Sequence, residues 1–471
     1  MDVPHPGMSR LPQPIGRQQE VLYLPAGGHT VVLGTAGSGK TTMAMHRAVH
    51  LANRRLPHAG RTLLLSFNNT LVRYFESFSD IGDAADLDVR TYHHFARGYL
   101  NSCGRMSYAA ICSPEERLAQ IQSAVTAVLC DDPNEPALAR PITFLADELK
   151  WLAQHGIGSE GDYVEAERTG RQGARLPRKE RPAVFRLYER YRAMRPLSGK
   201  QYDWEDLGLA MIEAVAVDSR PRMYRHIIID EGQDFSPTML RSLVDLLPPD
   251  GSLTFFGDMA QQIYGNRMSW RNAGLRVQKV WEFQENYRNT KQIADLALAV
   301  SAMPYFAQTV DLVSPRAPTA DGPLPALASF SAETDEVTSI CAWATRTGEA
   351  QSVAILLPTR DEEPQFRKCL PCNAIRLHRE MARWFPGPGV FYGTYAAAKG
   401  LEFDAVILPR LSSARMPIPE DIATYGQDEA ETTAGHLFYV GLTRARVTLI
   451  ISAAGAVSGL VPSRPNLLQR S

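Results

Sequence analysis

The chain has 471 residues, 44% of them hydrophobic and 21% charged, with a net charge of −1. That length exceeds a single hydrophobic core and predicts roughly two to four domains. The near-neutral balance excludes a uniformly basic polyanion binder, so a nucleic-acid site would have to be a local patch.

No apolar run approaches the ~18 residues of a membrane span. The N-terminal MDVPHPGMSR lacks an apolar signal core. Six cysteines do not make a disulfide scaffold at this length. Cys369 and Cys372 form a CxxC, but no second pair lies nearby with metal spacing, so ordinary reduced cysteines are expected. The expectation is a reduced, cytoplasmic protein with no membrane partner.

In chain order, residues 30–33 read as a short apolar strand, followed by GTAGSGKT and the helix-patterned MAMHRAVHLANR. LLLSF (63–67), IIID (227–230), LTFF (253–256), VAILL (353–357) and AVILP (405–409) are further continuous apolar runs. Such runs alternating with helical stretches predict parallel sheets covered on both faces, an α/β fold. Residues 104–200 hold no convincing strand and many helical stretches, such as EERLAQIQSAVTAVL and FLADELKWLAQHG, so they read as a helical insertion. SPRAPTADGPLPAL (313–326) reads as an irregular connection and 411–434 as an acidic surface loop.

Gly34-Thr35-Ala36-Gly37-Ser38-Gly39-Lys40-Thr41, followed by Thr42, fits the P-loop pattern between a strand and a helix. Glycines let backbone N–H groups close around phosphate oxygens, and the helix N-terminus adds positive potential. Lys40 would reach the β/γ-phosphates of ATP, and Thr41 would place its hydroxyl on Mg²⁺. RHIIIDEGQDFSP (225–237) runs a buried strand into a charge cluster that folding alone would avoid. An unpaired carboxylate at a sheet's end is costly, and a bound dication offsets that cost. Asp230 would therefore hold Mg²⁺, and Glu231 would orient the attacking water. Asp234 or Ser236 would cap the helix that follows.

Further motifs follow in a fixed order: LLLSFNNT (63–70), RTYHHFA (90–96), YDWEDL (202–207), FFGDMAQQIYG (255–265), ENYRNT (285–290), GTYAAAKGLEFDAV (393–406) and YVGLTRAR (439–446). Together with the P-loop and DEGQD, they resemble the superfamily 1 helicases of the UvrD/PcrA/Rep type, over about residues 18–450. The resemblance implies two RecA-like P-loop lobes with parallel sheets and a helical insertion in the first. The expected divisions are 1–103 and 201–282 for the first lobe, 104–200 for the insertion and 283–471 for the second lobe.

It also implies residue roles. Gln18 would read the adenine edge, with neighbouring Gln19 leaving the register open by one. Tyr287 would stack on adenine, Glu402 would contact ribose, and Gln261 would sense the γ-phosphate. Arg288 and Arg444 would reach that phosphate from the second lobe. Phe67, Thr91, His93 and Thr394 become contacts to single-stranded DNA. From the residues alone, Phe67 also reads as core packing and His93 as a surface histidine.

Two departures stand out. Asn266 occupies the place where the family often has a base-stacking tryptophan, and Trp270 is the candidate substitute. Residues 289–392 leave little room for the family's large second-lobe insertion, so a compact form is expected. The chain ends soon after Arg446, with no fused nuclease expected.

The run 168–196 carries ten Arg or Lys against two Glu. It reads either as a grip on duplex phosphates or as a solvated helix with snorkelling arginines. The function implied is an ATP-dependent DNA helicase or translocase moving 3′→5′ on a single strand or a single-strand/duplex junction. The alternative is a nucleic-acid-sensing ATPase subunit of a defence or repair complex with a separate nuclease partner.

Overall fold

The computed structural model describes residues 10–35, 37–168, 171, 174–258, 270–271, 273–286, 289–306, 320–378 and 387–470. The first sheet contains β1 (Gly28–Gly34), β2 (Thr62–Ser66), β3 (Leu87–Thr91), β4 (His226–Ile229), β5 (Ser252–Gly257) and β6 (Val277–Phe283), ordered β3-β2-β4-β5-β1-β6. The second contains β7 (Ala326–Phe330), β8 (Ser352–Leu357), β9 (Ile375–Arg376), β10 (Gly389–Thr394), β11 (Phe403–Leu408), β12 (Ala445–Ala454) and β13 (Gln469–Arg470), ordered β13-β7-β12-β11-β8-β10-β9. Neighbouring strands pair in parallel throughout both.

The continuous apolar runs have a direct cause. Side chains alternate faces along a strand, so a strand covered on both sides must be apolar at every position. Leu63, Leu65, Ile227 and Ile229 pack in one layer with Tyr92, Leu207, Met211 and Phe235. Leu64 and Ile228 pack in the opposite layer with Met43, Leu51 and Phe75. The second sheet divides likewise, Leu356, Val406 and Leu408 on one side and Ile355, Leu357 and Ile407 on the other. Each such side chain stabilises the fold by about 1.5–3 kcal/mol.

Between β3 and β4 lies a helical body with its own core, in which Ile121, Phe144, Leu149, Trp151, Tyr163, Phe185 and Tyr188 pack together. Its principal helices are Pro114–Asp131, Ile142–His155 and Arg181–Met194. Residues 411–434 depart from the expected loop, for they hold the helix Pro419–Tyr425 and the first part of the helix Gln427–Leu442. Their acidic residues sit largely in the first turns, Glu420 and Asp421 in one and Asp428 and Glu429 in the other, where carboxylates complement the helix dipole. Of the expected irregular connection, residues 320–325 carry no regular structure and β7 begins at Ala326.

Candidate nucleotide site and strand cleft

Because the first sheet is parallel, the C-terminal ends of β4, β5 and β1 share one edge and present Asp230, Asp258 and the Gly34 loop together. The loop is tight. A Cβ on Gly34 would lie 2.5 Å from Ser38 Oγ and 3.2 Å from the Phe283 carbonyl oxygen. Gly37 and Gly39 have φ of +79° and +83°, a region that disfavours residues with a Cβ. The helix Lys40–Ala52 starts directly from this turn. Lys40 Nζ donates to the carbonyls of Gly34 (2.8 Å) and Thr35 (2.7 Å) and lies 3.7 Å from Asp258 Oδ2.

Gln18 is the member of the glutamine pair that reaches the loop, its Nε2 donating to the Ser38 carbonyl at 3.1 Å while its Oε1 accepts from Ile15 N. Gln19 turns outward to the Pro14 carbonyl. Among the described residues, Ser38 Oγ and Thr35 Oγ1 are buried and have no hydrogen-bond partner, as expected of hydroxyls that serve a ligand.

Asp230 is buried, and its Oδ2 has no hydrogen-bond partner among the described residues. Burial, and then the neighbouring Glu231 carboxylate, push its acid up to about 7, while a hydrogen bond with Thr41 pulls the other way. An orphaned buried carboxylate oxygen beside a threonine hydroxyl fits a hard divalent cation. Among the described residues no group of three His, Cys, Asp or Glu converges. A cation here would therefore take one or two protein oxygens and find the rest on phosphate and water, the usual manner of Mg²⁺.

Glu231 has φ +53° and ψ +40°, a strained conformation for a residue with a side chain. Two glycines make room for it. A Cβ on Gly232 would lie 2.3 Å from the Phe255 ring, and one on Gly257 2.6 Å from the same ring. Gln233 donates from Nε2 to the Glu231 carboxylate and accepts from Asp258 N at 2.9 Å through Oε1, tying β4 to β5. Burial works to raise the Glu231 acid, yet Lys399, Lys40 and Arg444 together hold it below the ordinary carboxylate range. Ser236, of the two cap candidates, accepts from Met239 N and caps the helix Pro237–Asp245.

Two of those three cations come from the C-terminal half. Arg444, 1% exposed, is aimed by bonds from Nε to the Val440 carbonyl and from Nη2 to Thr443 Oγ1. Lys399 Nζ meets Asp234 Oδ1 at 2.6 Å, with side chains 6% and 4% exposed. Asn68 donates to the Lys399 carbonyl, so a second bond crosses between the lobes there. Neither Lys399 nor Gln233 carries a role in the sequence reading, and Asp234 is there only a helix-cap candidate; the signal available was their place inside the DEGQD and KGLEF motifs. Glu402 is solvent-exposed just before β11. Ala36, Gln261, Asn266, Tyr287 and Arg288 lie outside the described residues.

Phe67, Thr91 and His93 line one cleft of about 790 Å³ with Trp204, Lys150, Gln154, Arg360, Arg376, His378, Glu231, Asp234 and Lys399. It thus opens against the acidic tip of β4. The His93 ring meets both Phe67 and Trp204 edge-on at 5.4 Å. Phe67 also touches Phe235 in the core, so it is half packing and half lining. Thr91 Oγ1 accepts from His94 N as a helix cap. Thr394, at the end of β10, accepts from Ala397 N and shapes the turn that carries Ala396 and Lys399 into the cleft.

One expectation changes. Trp270 does not line this cleft: it is half-buried, edge-on to Phe255 at 5.0 Å, because the core beneath β5 takes up its ring. Among the described residues, Trp204 is the tryptophan that lines the cleft. The arginine-rich run divides: four of its ten basic side chains are internal scaffolding and six are exposed. Arg168 and Arg171 both grip the buried Glu148, Arg181 Nη1 donates to three carbonyls, and Arg195 pairs with Asp203 and Asp206. Arg175, Arg178, Lys179, Arg186, Arg190 and Arg192 are exposed, Arg178 paired with Glu165 and Arg186 with Glu135.

A Gly-rich phosphate cradle, a carboxylate pair at an adjacent strand tip and cations arriving from a second parallel-sheet lobe define a two-lobed P-loop nucleoside triphosphatase. Residues 15–287 match the UvrD/REP helicase N-terminal domain, and residues 388–456 match the UvrD-like helicase C-terminal domain. The chain belongs to the UvrD/REP helicase family, and its two sheets are that family's RecA-like lobes. Among its relatives is ATP-dependent DNA helicase UvrD2 of Mycobacterium tuberculosis, 25% identical over 93% of this chain and 78% of that one. A probable DNA helicase of Mycoplasma pneumoniae is 22% identical over 94% of this chain and 84% of its own. ATP-dependent DNA helicase Rep of Escherichia coli is 25% identical over 60% of this chain and 42% of its own.

Proposed function

We propose that this chain is an ATP-dependent DNA helicase or translocase that moves 3′→5′ on single-stranded DNA. The observation that carries the reading is the position of the Glu231 carboxylate. It feels Lys40 from one lobe and Lys399 and Arg444 from the other, and it also lines the cleft that holds Phe67 and His93. One acidic tip therefore borders the nucleotide loop, the opposite lobe and the strand cleft.

In this reading ATP lies between the lobes. The P-loop amides and Lys40 hold its phosphates, Thr41 and Asp230 hold Mg²⁺, and Gln18 stands at the base side. The cation would neutralise charge on the β- and γ-oxygens. Glu231, kept ionised, orients a water for in-line attack. Arg444, joined by Arg288, stabilises the charge of the transferring phosphoryl group. Such an arginine is worth about 10³–10⁵ in rate, or roughly 4–7 kcal/mol. Closure of the lobes assembles the site and release reopens it, so each turnover can shift a strand held by both lobes. The 3′→5′ direction follows the family resemblance.

Hydrolysis measured with and without an oligonucleotide, with Lys40→Ala as control, tests the motor. Partial duplexes with 3′ or 5′ tails test its direction. No stimulation by any strand would overturn the proposal. Stimulation without displacement of either duplex would instead support a strand-sensing ATPase that works beside a separate nuclease.

A further inference from the structure

A contact outside the family motifs joins the second lobe to the helical insertion, one of whose helices lines the strand cleft. Tyr425, at the end of the helix Pro419–Tyr425 of the second lobe, reaches across to the helical insertion. Its hydroxyl donates to Asp147 Oδ2 at 2.5 Å, and its ring stacks on Phe144 with centroids 6.4 Å apart and planes 28° apart. Arg171 lies over both rings, 5.3 Å from Phe144 and 5.8 Å from Tyr425, and its Nη1 is 3.9 Å from Asp147. Arg140 covers the same Phe144 ring at 4.7 Å. Tyr425 packs against the core of the insertion, not only against its own lobe. The contact thus has an apolar part, a cation over two rings and a charge-assisted hydrogen bond, each from a different side chain.

Its position gives it a use. Asp147, Lys150 and Gln154 stand three and four residues apart on the helix Ile142–His155, so they share one face. Asp147 takes the Tyr425 hydroxyl, while Lys150 and Gln154 line the strand cleft. The second lobe supplies Arg360, Arg376 and His378 to that same cleft. At its inner side the lobes already meet through Lys399 and Asp234. The first lobe, the insertion, Tyr425 of the second lobe and Lys399 thus form a closed series of contacts, and the cleft is lined by residues of all three parts.

We infer that the Tyr425–Asp147–Phe144 contact is a clasp that closes the strand cleft into a ring, so that a single strand is threaded through the protein and not merely laid upon it. This deepens the proposed function and rests on the cleft being the strand site. Linear strands can enter or leave by sliding past an end. A circular strand can do so only when the clasp opens.

The test uses the full chain with Asp147→Cys and Tyr425→Cys, the exposed Cys130, Cys369 and Cys372 being replaced by serine. The two new thiols are joined by a short bismaleimide. Joined before DNA is added, the protein should lose binding to circular single-stranded DNA while still binding linear oligonucleotides. Joined after loading, it should keep the circle in salt that strips a linear strand, with release slowed about tenfold or more, since differences between closely related complexes reside mainly in dissociation. A joined protein that takes up and gives up the circle as readily as the unjoined one overturns the clasp. Tyr425→Ala, which needs no cross-link, should speed loading and release of the circle relative to the linear strand, and an unchanged ratio overturns the clasp equally. If the unjoined protein binds neither form, the strand-site reading itself fails and the ring falls with it.

Discussion

Lys399→Met removes the cation that joins the lobes beside the nucleotide site. Its partner Asp234 is 2.6 Å away, and both side chains are at least nine-tenths buried. Removing one member of a buried pair typically costs about 3–5 kcal/mol, because the other charge is left without compensation. Here the two members belong to different lobes, so the cost falls on lobe closure and not on the folding of either sheet. At about 1.4 kcal/mol per factor of ten, closure becomes roughly 10²–10³-fold less favourable. Lys399 is also the first of the cations that hold Glu231 ionised, so the carboxylate proposed to orient the attacking water loses part of what keeps it charged. The assay is strand-stimulated ATP turnover beside a thermal melt. Turnover should fall by about 10²-fold or more with little change in melting temperature, and a second change, Asp234→Leu, should restore part of the loss by removing the stranded charge. Wild-type turnover by Lys399→Met, or a loss that tracks unfolding, would refute the reasoning.

Other expectations follow from the same geometry. Asp230 keeps its proton up to about pH 7 in the folded chain, whereas the unfolded chain gives it up near the ordinary carboxylate value. The associated stability is present at low pH and lost as pH rises through about 7. Asp230→Asn should therefore raise the melting temperature of the metal-free protein at about pH 8 more than at about pH 5. The same change should reduce Mg²⁺-dependent hydrolysis by about 10²-fold or more. Gly34→Ala should abolish nucleotide binding, measured by a fluorescent ATP analogue, since its Cβ would lie 2.5 Å from Ser38 Oγ. Arg360→Ala should weaken binding to oligonucleotides of any sequence and lower the salt slope by about 1. Phe67→Ala should cost about 1–3 kcal/mol of strand affinity, with a melt to separate this from the loss of packing on Phe235.

Most of what was legible in the sequence was covered on both sides or fixed in a motif. IIID and LLLSF announce central parallel strands because every position must be apolar. β3 and β7 escaped notice because they lie near sheet edges and alternate with exposed positions. The P-loop and the DE pair are local in sequence, so their chemistry could be read there. Partners far apart could not. Lys399 and Asp234 are separated by 165 residues, and nothing near either indicates that they meet. The internal part of the arginine run was hidden for the same reason. Its positive charge is local, but the carboxylates that pair with Arg168, Arg171 and Arg195, namely Glu148, Asp203 and Asp206, sit outside the run. The segment 411–434 was mistaken for a loop although QDEAETT carries the acidic first turn of a helix. Its cleft-side purpose depends on Tyr425, a single aromatic residue among polar neighbours.

Phe255 has no chemistry of its own, yet its ring fills the space directly beneath Gly232 and Gly257. The backbone can make its left-handed step at Glu231 only because the next residue yields to that ring. A search for inactive variants will therefore return changes in the hydrophobic interior whose proteins remain folded. Such variants would be faulty in aim, not in stability, with a carboxylate still present but pointed away from its water.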